Sequence, residues 1–316
     1  MTDKERAYQT VLVDCLAVSP GENVLVLTDP KRRAIGDDLV QGARELGAEA
    51  VLIEMAEREN HGTEPPDLVA TAMLECDVFI APTTKSVSHT QARHAASEKG
   101  VRAATMPQIT EDMLLRTMSA DYEALRERSA ILADLLTKGS SVTITSAAGT
   151  DVTFSIEGRD GLPDDGDLRT PGAFGNLPAG EGFIAPVEGK TQGRIVFDGS
   201  IWPIGILEKP LIADIEDGYA TLSGPDSARL DEIFGKYGRD AYAVAELGIG
   251  TNEKAKLTGN TLEDEKILGT IHVAFGDNHS FGGTIRVASH QDGIVLEPTV
   301  MIDDKVVLEA GRLSVG

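Results

Sequence analysis

Residues 20–55 read PGENVLVLTDPKRRAIGDDLVQGARELGAEAVLIEM, and their pattern decides the fold of the first part of the chain. PGENVLVLTD is a turn followed by a continuously apolar run, which is typical of a strand buried on both faces. RRAIGDDLVQGARELGA then has apolar residues at helical spacing and is closed by Gly47, and EAVLIEM is a second strand. A strand, a helix and another strand in succession predict two parallel strands joined by a covering helix.

The same alternation continues along the first half of the chain. Further helices and strands are predicted at residues 65–76, 77–82, 88–100 and 101–107. Residues 120–139 have the pattern of a long amphipathic helix, and β-rich runs separated by turn residues follow it. Residues 158–180 are rich in Gly, Pro and Asp and are predicted to form a loop. We therefore predict an α/β protein with a parallel-sheet α/β domain at residues 1–140 and an α+β domain at residues 141–316.

Charge and cysteine content limit the partners and the compartment. The net charge of −22 argues against nucleic acid and anionic membranes as partners, because both are bound through basic patches. Cys15 and Cys76 form no C-x-x-C pair, so the motifs of structural zinc and redox sites are absent. The N-terminal residues lack the pattern of a signal peptide, and no apolar run reaches the length of a membrane span. These features predict a cytoplasmic protein.

Three of the 6 histidines fall within IHVAFGDNHSFGGTIRVASHQDG, residues 271–293. His290 and Asp292 are two positions apart, so on a strand they offer a nitrogen and a carboxylate to the same face. His272 lies between apolar neighbours in a predicted strand, and Glu246 lies at the end of an apolar run before a Gly-rich turn. An ionisable group among apolar residues is buried, and it must then be paired, hydrogen-bonded or bound to metal.

A further candidate, Glu181, follows the Gly- and Pro-containing run FGNLPAG. If these groups converge, their carboxylates and imidazoles form a cage that suits Zn, Mn, Co or Fe. Each residue also has a structural explanation, because a buried glutamate can be an ion-pair partner and a buried histidine can be a hydrogen-bonded core residue. Spacing alone leaves both explanations open.

The runs ELGIGTN, TGNTLEDEKILGTIHVAFGDN, FGG and SHQDG together resemble the aminopeptidase T and S family of leucyl metallo-aminopeptidases, most strongly from about Pro171 to the pair His290 and Asp292. The iron enzyme 2,5-dihydroxypyridine 5,6-dioxygenase is similar to the same family. The resemblance implies a homodimer whose C-terminal α+β domain binds metal. It assigns the ligands to Glu181, Glu246, His272, His290 and Asp292. His279 stands where the peptidases have a tyrosine that assists catalysis, and it is therefore the predicted catalytic residue.

Two reactions fit this set of residues. Two divalent ions of zinc, cobalt or manganese would activate a water that removes N-terminal residues from peptides, and this hydrolase is the preferred prediction. One iron(II) ion held by His272, His290 and Asp292 would instead serve a ring-cleaving dioxygenase that acts on a hydroxylated, pyridine-like ring. A catalytically degenerate, metal-binding dimer is a third alternative.

Overall fold

The structure, a computed structural model, describes residues 2–315. Its helices are α1 (Asp3–Gln9), α2 (Arg33–Glu45), α3 (Asp67–Leu74), α4 (Gln91–Glu98), α5 (Glu111–Thr117), α6 (Tyr122–Lys138), α7 (Ser227–Phe234) and α8 (Thr261–Asp264). The strands in the first part of the chain are β1 (Asn23–Thr28), β2 (Glu49–Glu54), β3 (Val78–Thr83), β4 (Arg102–Pro107), β5 (Ser141–Thr145), β6 (Asp151–Ser155), β7 (Leu162–Asp164), β8 (Phe174–Asn176) and β9 (Glu181–Ile184). The later strands are β10 (Gln192–Phe197), β11 (Ser200–Ile201), β12 (Gly205–Ile206), β13 (Leu211–Glu216), β14 (Tyr219–Ser223), β15 (Val244–Gly250), β16 (Ile271–Gly276), β17 (His290–Val295), β18 (Thr299–Ile302), β19 (Lys305–Glu309) and β20 (Arg312–Leu313).

The chain packs into two compact units. The first consists of the described residues up to Tyr122 together with Gly166–Ala179, and the second consists of Glu123–Asp165 together with the described residues from Gly180 onwards. The sequence-based division after residue 140 leaves helix α6 in the first domain, whereas packing assigns almost all of α6 to the second unit. The physical reason is that the apolar face of α6, including Leu132 and Leu136, is fully buried in the core of the second unit.

In the first unit, the described strands form a parallel sheet in the order β2-β1-β3-β4-β8. Strand β3 is buried along its whole length, as expected of an inner parallel strand. Strand β8 comes from residues 158–180, for which the sequence predicted a loop, and β7 lies in the same segment. Each has only three residues, which is too short to show a strand period among turn-forming residues.

In the second unit, the described strands form two antiparallel sheets. One has the order β14-β13-β10-β6-β5-β18-β19-β20, and the other, here called the ligand sheet, has the order β12-β11-β17-β16-β15-β9-β7. Both sheets contribute to one apolar core, which includes Phe154 and Phe197 from the first and Val273 and Phe275 from the ligand sheet. The predicted α/β architecture, with a parallel sheet followed by a strand-rich part, is confirmed. Within residues 2–315, none of the helices has the length and apolar character needed to cross a membrane.

Candidate metal centre

The predicted ligands share one face of the ligand sheet. Successive side chains on a strand point to opposite faces, and Val273 and Phe275 of β16 point into the core, so His272 points the other way. The same alternation, read from the core residues of β9, β15 and β17, applies to the other predicted ligands. The five residues on this face, here called the ligand cluster, are Glu181, Glu246, His272, His290 and Asp292.

Two glycines on β15 allow close neighbours at the ligand cluster, which are the His272 ring at Gly248 and a backbone segment at Gly250. Gly248 pairs with His272, and a Cβ at Gly248 would lie 2.0 Å from Cε1 of the imidazole. Gly250 pairs with Glu181, and a Cβ at Gly250 would lie 2.0 Å from the carbonyl oxygen of Ile267. The sequence predicted a turn at these glycines, but both lie within a strand. The fold uses their lack of a side chain and not an unusual backbone angle.

Glu246 links the two histidines of the ligand cluster. Its Oε1 lies 3.2 Å from His272 Nε2, and its Oε2 lies 3.4 Å from His290 Nε2. Glu181 Oε2 lies 3.0 Å from His272 Nε2, and Asp292 Oδ1 lies 3.4 Å from His290 Nε2. The ligand atoms of Glu181, Glu246 and His272 all lie within 4.8 Å of one another. The structure therefore brings together all five residues that the sequence singled out as ligands.

Hydrogen bonding determines which nitrogen of His290 is available to a metal. His290 Nδ1 lies 2.8 Å from the backbone carbonyl oxygen of Asp277. Because a carbonyl oxygen only accepts, Nδ1 carries a proton, and Nε2 is the nitrogen left to bind an ion. A metal-ligating histidine usually donates its other N–H in this way, which holds the ring in orientation.

Two buried polar atoms of the ligand cluster make no hydrogen bond among the described residues, although Glu181 Oε2 lies 3.0 Å from His272 Nε2. Glu181 Oε2 and His272 Nδ1 are buried and make no hydrogen bond there. A buried carboxylate oxygen without a hydrogen bond carries a desolvation cost that a bound cation would remove. Carboxylate oxygens and imidazole nitrogens together form a donor set that suits Zn, Mn, Co and Fe. On both grounds, the residues present fit a divalent metal ion.

Interactions inside the ligand cluster shift the pKa values of its members in opposite directions. Burial disfavours the charged form of His272 and of His290, but the neighbouring carboxylates outweigh burial and raise the pKa of each ring well above its usual value. Burial favours the neutral form of Glu246, yet hydrogen bonds with both rings hold its pKa well below the usual range. A ligating imidazole must give up the proton on its ligand nitrogen, so protons and a divalent ion compete for these rings.

A buried lysine that the sequence analysis missed lies beside Glu181. Lys266 Nζ is 2.5 Å from Glu181 Oε1 and 2.9 Å from Asp164 Oδ2. It also lies 2.9 Å from Glu265 Oε1. Burial raises the pKa of Asp164 to about 6 and that of Glu265 to about 8. A signal was present in the sequence, because Lys266 is followed directly by apolar residues that carry it into the interior.

Two phenylalanine rings lie next to the ligand cluster. The ring centroids of Phe281 and His290 are 6.0 Å apart with an interplanar angle of 89°, and those of Phe281 and Phe183 are 5.8 Å apart at 69°. Phe183 is two residues from Glu181 on β9 and therefore lies on the same face of the ligand sheet. Both phenylalanines are partly exposed. We call Phe183 and Phe281 the aromatic wall, since they border the ligand cluster with an apolar, ring-lined surface.

The segment that carries Phe281, residues 277–289, is here called the site loop, and it is ordered around a buried amide. Asn278 is fully buried, and its Oδ1 accepts a hydrogen bond from the Ile285 backbone N–H at 2.8 Å. Its Nδ2 donates to Glu188 Oε1 at 3.1 Å. The turn that carries Phe281 lies between Asn278 and Ile285, and the Asn278 side chain connects these two ends. The bond to Glu188 holds the same side chain in place.

His279, the predicted catalytic residue, is exposed in a short 3-10 turn of the site loop, His279–Phe281. Its ring contacts Arg286, and the two side chains line an open cavity of about 420 Å³. Among the hydrogen bonds and ion pairs of the described residues, none joins His279 to the ligand cluster. A catalytic role for His279 stays a prediction.

The fold and the ligand cluster define a two-unit protein with a candidate metal centre on an antiparallel sheet. A family model described as NicX, 2,5-dihydroxypyridine 5,6-dioxygenase, matches residues 4–315. The chain belongs to this family. A comparison with curated proteins found no significant match.

Two solved structures are similar to this chain over nearly its whole length. The 2,5-dihydroxypyridine dioxygenase of Pseudomonas putida KT2440 is 19% identical, covers 100% of this chain and 99% of its own, and superposes with a TM-score of 0.85. Wild-type AmpT from Thermus thermophilus is 17% identical, with 99% of each chain covered and a TM-score of 0.72. The resemblance to the aminopeptidase T family is thus confirmed as a likeness of fold. The family match is to the dioxygenase, which favours the alternative over the hydrolase that the sequence analysis preferred.

Proposed function

We propose that this protein is an iron(II)-dependent dioxygenase that opens a hydroxylated, pyridine-like aromatic ring. Membership of the dioxygenase family supports the reaction class. The structural observation that carries the proposal is the contact between Phe281 and His290, because it joins the aromatic wall to the ligand cluster. A planar ring that enters the cluster packs against Phe183 and Phe281, and aromatic pairs are favourable both edge-to-face and offset-stacked.

The ligand cluster contains the donor set that this reaction needs. His272, His290 and Asp292 supply two imidazoles and one carboxylate, the combination used by non-haem iron(II) oxygenases. Iron(II), when bound, would supply the redox chemistry that lets dioxygen react with the electron-rich, hydroxylated ring. The Asp277 carbonyl keeps His290 Nε2 directed at the cluster, and the carboxylates of Glu181 and Glu246 offset the positive charge of the ion.

His279 has the role of acid–base group in this proposal. It lies two residues before Phe281 in the same short turn, so its backbone is close to the aromatic wall. Histidine is the side chain most often used for proton transfer in catalysis. We expect His279→Gln to lower kcat and to alter the pH profile of kcat, while metal content stays at the wild-type value. A wild-type pH profile in this variant would remove His279 from the mechanism.

A second candidate, metal-dependent removal of N-terminal residues from peptides, is favoured by one observation. The two oxygens of Glu246 face different imidazoles, and a carboxylate in that arrangement can bridge two ions. The fold shared with AmpT is compatible with this reaction. The number of bound ions therefore separates the two candidates.

The test is metal content per chain in protein purified without oxygen and without a metal-binding tag. About one equivalent of iron, with oxygen consumption on 2,5-dihydroxypyridine, supports the dioxygenase. About two equivalents of zinc, cobalt or manganese, with release of amino acids from aminoacyl substrates, supports the peptidase. Full metal loading without turnover of either substrate class supports a degenerate protein. His290→Ala is the control, and unchanged metal content in that variant would contradict both metal-dependent candidates.

The remaining parts of the proposal concern assembly and location. We propose a homodimer in the cytoplasm that acts on a small molecule and binds neither nucleic acid nor membrane. The net charge of −22 supports the absence of anionic partners. Analytical ultracentrifugation of the metal-loaded protein tests the dimer, and a monomer at micromolar concentration would contradict it.

A further inference from the structure

Lys266 is buried more completely than most charged side chains, with 1% of its surface exposed. Its ammonium lies within 2.9 Å of oxygens from Asp164, Glu181 and Glu265. An ammonium group has three N–H donors, so one donor is available for each carboxylate. Of these carboxylates, Glu181 also belongs to the ligand cluster, which makes Lys266 a direct link between the cluster and the surrounding fold.

The two oxygens of Glu181 have different environments. Oε1 lies 2.5 Å from Lys266 Nζ, whereas Oε2 faces His272 Nε2 at 3.0 Å and makes no hydrogen bond within the described residues. The last torsion of a glutamate is broad and two-fold, so an unrestrained carboxylate can present either oxygen or both. The contact with Lys266 removes that freedom and leaves Oε2 as the oxygen that faces the position of the metal.

The fold brings Lys266 to Glu181 through strand pairing and through a glycine. Asp164 and Glu181 are paired residues on β7 and β9, so their side chains share one face. Gly250, which pairs with Glu181 on the other side, lets the backbone after Lys266 lie close to the sheet, because a Cβ there would be 2.8 Å from the Lys266 carbonyl carbon. The Asn252 N–H donates to the Lys266 carbonyl at 2.8 Å and holds that backbone in place.

We infer that Lys266 is a positioning residue of the metal centre, which holds Glu181 Oε1 so that Glu181 presents only Oε2 to the ligand cluster. The inference rests on the proposed function in one respect, namely that a divalent ion binds the ligand cluster. Charge and position have opposite effects here. Removing a positive charge beside a cation site would by itself tighten metal binding, whereas releasing the carboxylate from its orientation weakens it. The direction of the change in affinity therefore separates the two effects.

The experiment measures the dissociation constant of Mn²⁺ for metal-free protein by anaerobic titration calorimetry, with electron paramagnetic resonance of the bound ion. Lys266→Met keeps the length of the side chain and removes the ammonium. Glu265→Gln is the matched control, because it changes another partner of Lys266 and leaves the contact with Glu181 in place. We expect Lys266→Met to weaken Mn²⁺ binding by about 10- to 100-fold and to change the resonance spectrum. We expect Glu265→Gln to stay close to wild type in both measurements.

Unchanged or tighter Mn²⁺ binding by Lys266→Met would overturn the inference. Equal weakening by Glu265→Gln would also overturn it, since the effect would then follow from any disturbance of the contacts of Lys266 and not from the orientation of Glu181. Wild-type protein that binds no Mn²⁺ or Fe²⁺ would instead contradict the proposed function. If circular dichroism shows that Lys266→Met does not fold, the comparison is made between Glu265→Gln and the double variant Lys266→Met/Glu265→Gln. In the double variant, one carboxylate fewer loses its ammonium partner.

Discussion

Strands β3 and β16 are both buried at every residue, but the two are stabilised differently. Strand β3, VFIAPT, is almost entirely apolar and lies inside the parallel sheet. Strand β16, IHVAFG, presents Val273 and Phe275 to the core and His272 to the ligand cluster. Apolar packing alone stabilises the side chains of β3. The polar side-chain atoms on one face of β16 must instead bond to one another or to an ion. The same degree of burial therefore makes strand β16, and not strand β3, sensitive to pH and to a bound ion.

The largest expected effect comes from removing a ring from each strand. Phe79 on β3 and Phe275 on β16 are both fully buried, so Phe79→Ala and Phe275→Ala should each lower the free energy of unfolding by about 3–5 kcal/mol. Urea denaturation measures this loss. Phe79→Ala should leave the Mn²⁺ affinity of the folded protein unchanged, while Phe275→Ala should weaken it, because Phe275 supports the strand that carries His272. Weaker Mn²⁺ binding in Phe79→Ala would contradict the comparison.

A single methyl group on β15 should be almost as damaging as the loss of a ring. Gly248→Ala places a Cβ 2.0 Å from the His272 ring, so the imidazole must move. We expect a loss of about 1–3 kcal/mol in unfolding free energy and Mn²⁺ binding too weak to measure by calorimetry. Gly62→Ala is the control, because its Cβ meets no atom within 4 Å, although its φ of 75° disfavours alanine. Wild-type metal affinity in Gly248→Ala would show that the ring position does not matter.

The metal-free protein should lose stability as the pH rises. The pKa values of His272 and His290 are raised in the folded state above 6.5, so their contribution is complete below that pH and is lost as the pH rises through the folded values. Glu265, raised from 4.5 to about 8, destabilises the folded chain increasingly across that interval. Each excess proton held by the folded state lowers the unfolding free energy by up to about 1.4 kcal/mol per pH unit.

Thermal unfolding between pH 5 and pH 9, with and without Mn²⁺, measures this dependence. The stabilisation by Mn²⁺ should grow with pH, since ligating imidazoles carry no proton on their ligand nitrogens. Phe79→Ala should lower the unfolding temperature by a similar amount at every pH, as expected of a region that is stabilised by apolar packing. If the stabilisation by Mn²⁺ does not change with pH, imidazoles are not the ligands.

The smallest expected effect concerns the aromatic wall. Phe281→Leu keeps an apolar side chain but removes the edge-to-face contacts with His290 and Phe183, which are worth about 0.5–1.5 kcal/mol each. We expect a KM for 2,5-dihydroxypyridine that is about tenfold higher, with wild-type metal content. Phe174→Leu in the first unit, where the ring lies 3.8 Å from the guanidinium carbon of Arg93, is the control and should leave KM unchanged. If Phe281→Leu and Phe174→Leu have the same KM, the aromatic wall does not contribute to substrate binding.

The sequence predicted most of the parallel sheet and all members of the ligand cluster, for different reasons. Continuous apolar runs such as that of β3 carry a strong periodic signal, which short strands such as β8 lack. The members of the ligand cluster were recognisable because imidazoles and carboxylates stood among apolar residues and matched the order found in a known family. Lys266 and Phe281 were missed because their roles depend on long-range contacts; the apolar residues after Lys266 indicate its burial but not its partners. The glycines of β15 were read as turn residues because a strand that uses a missing side chain has the same composition as a turn.

The buried amide of Asn278 has a consequence for the thermodynamics of ligand binding. A loop that closes over a ligand usually loses conformational entropy at the moment of binding, and that loss is subtracted from the affinity. In the site loop, the bonds from Asn278 to Ile285 and Glu188 order the backbone when the protein folds. A ring that reaches Phe281 therefore meets a surface that is already ordered, and its affinity reflects contact and desolvation with little cost from ordering the protein.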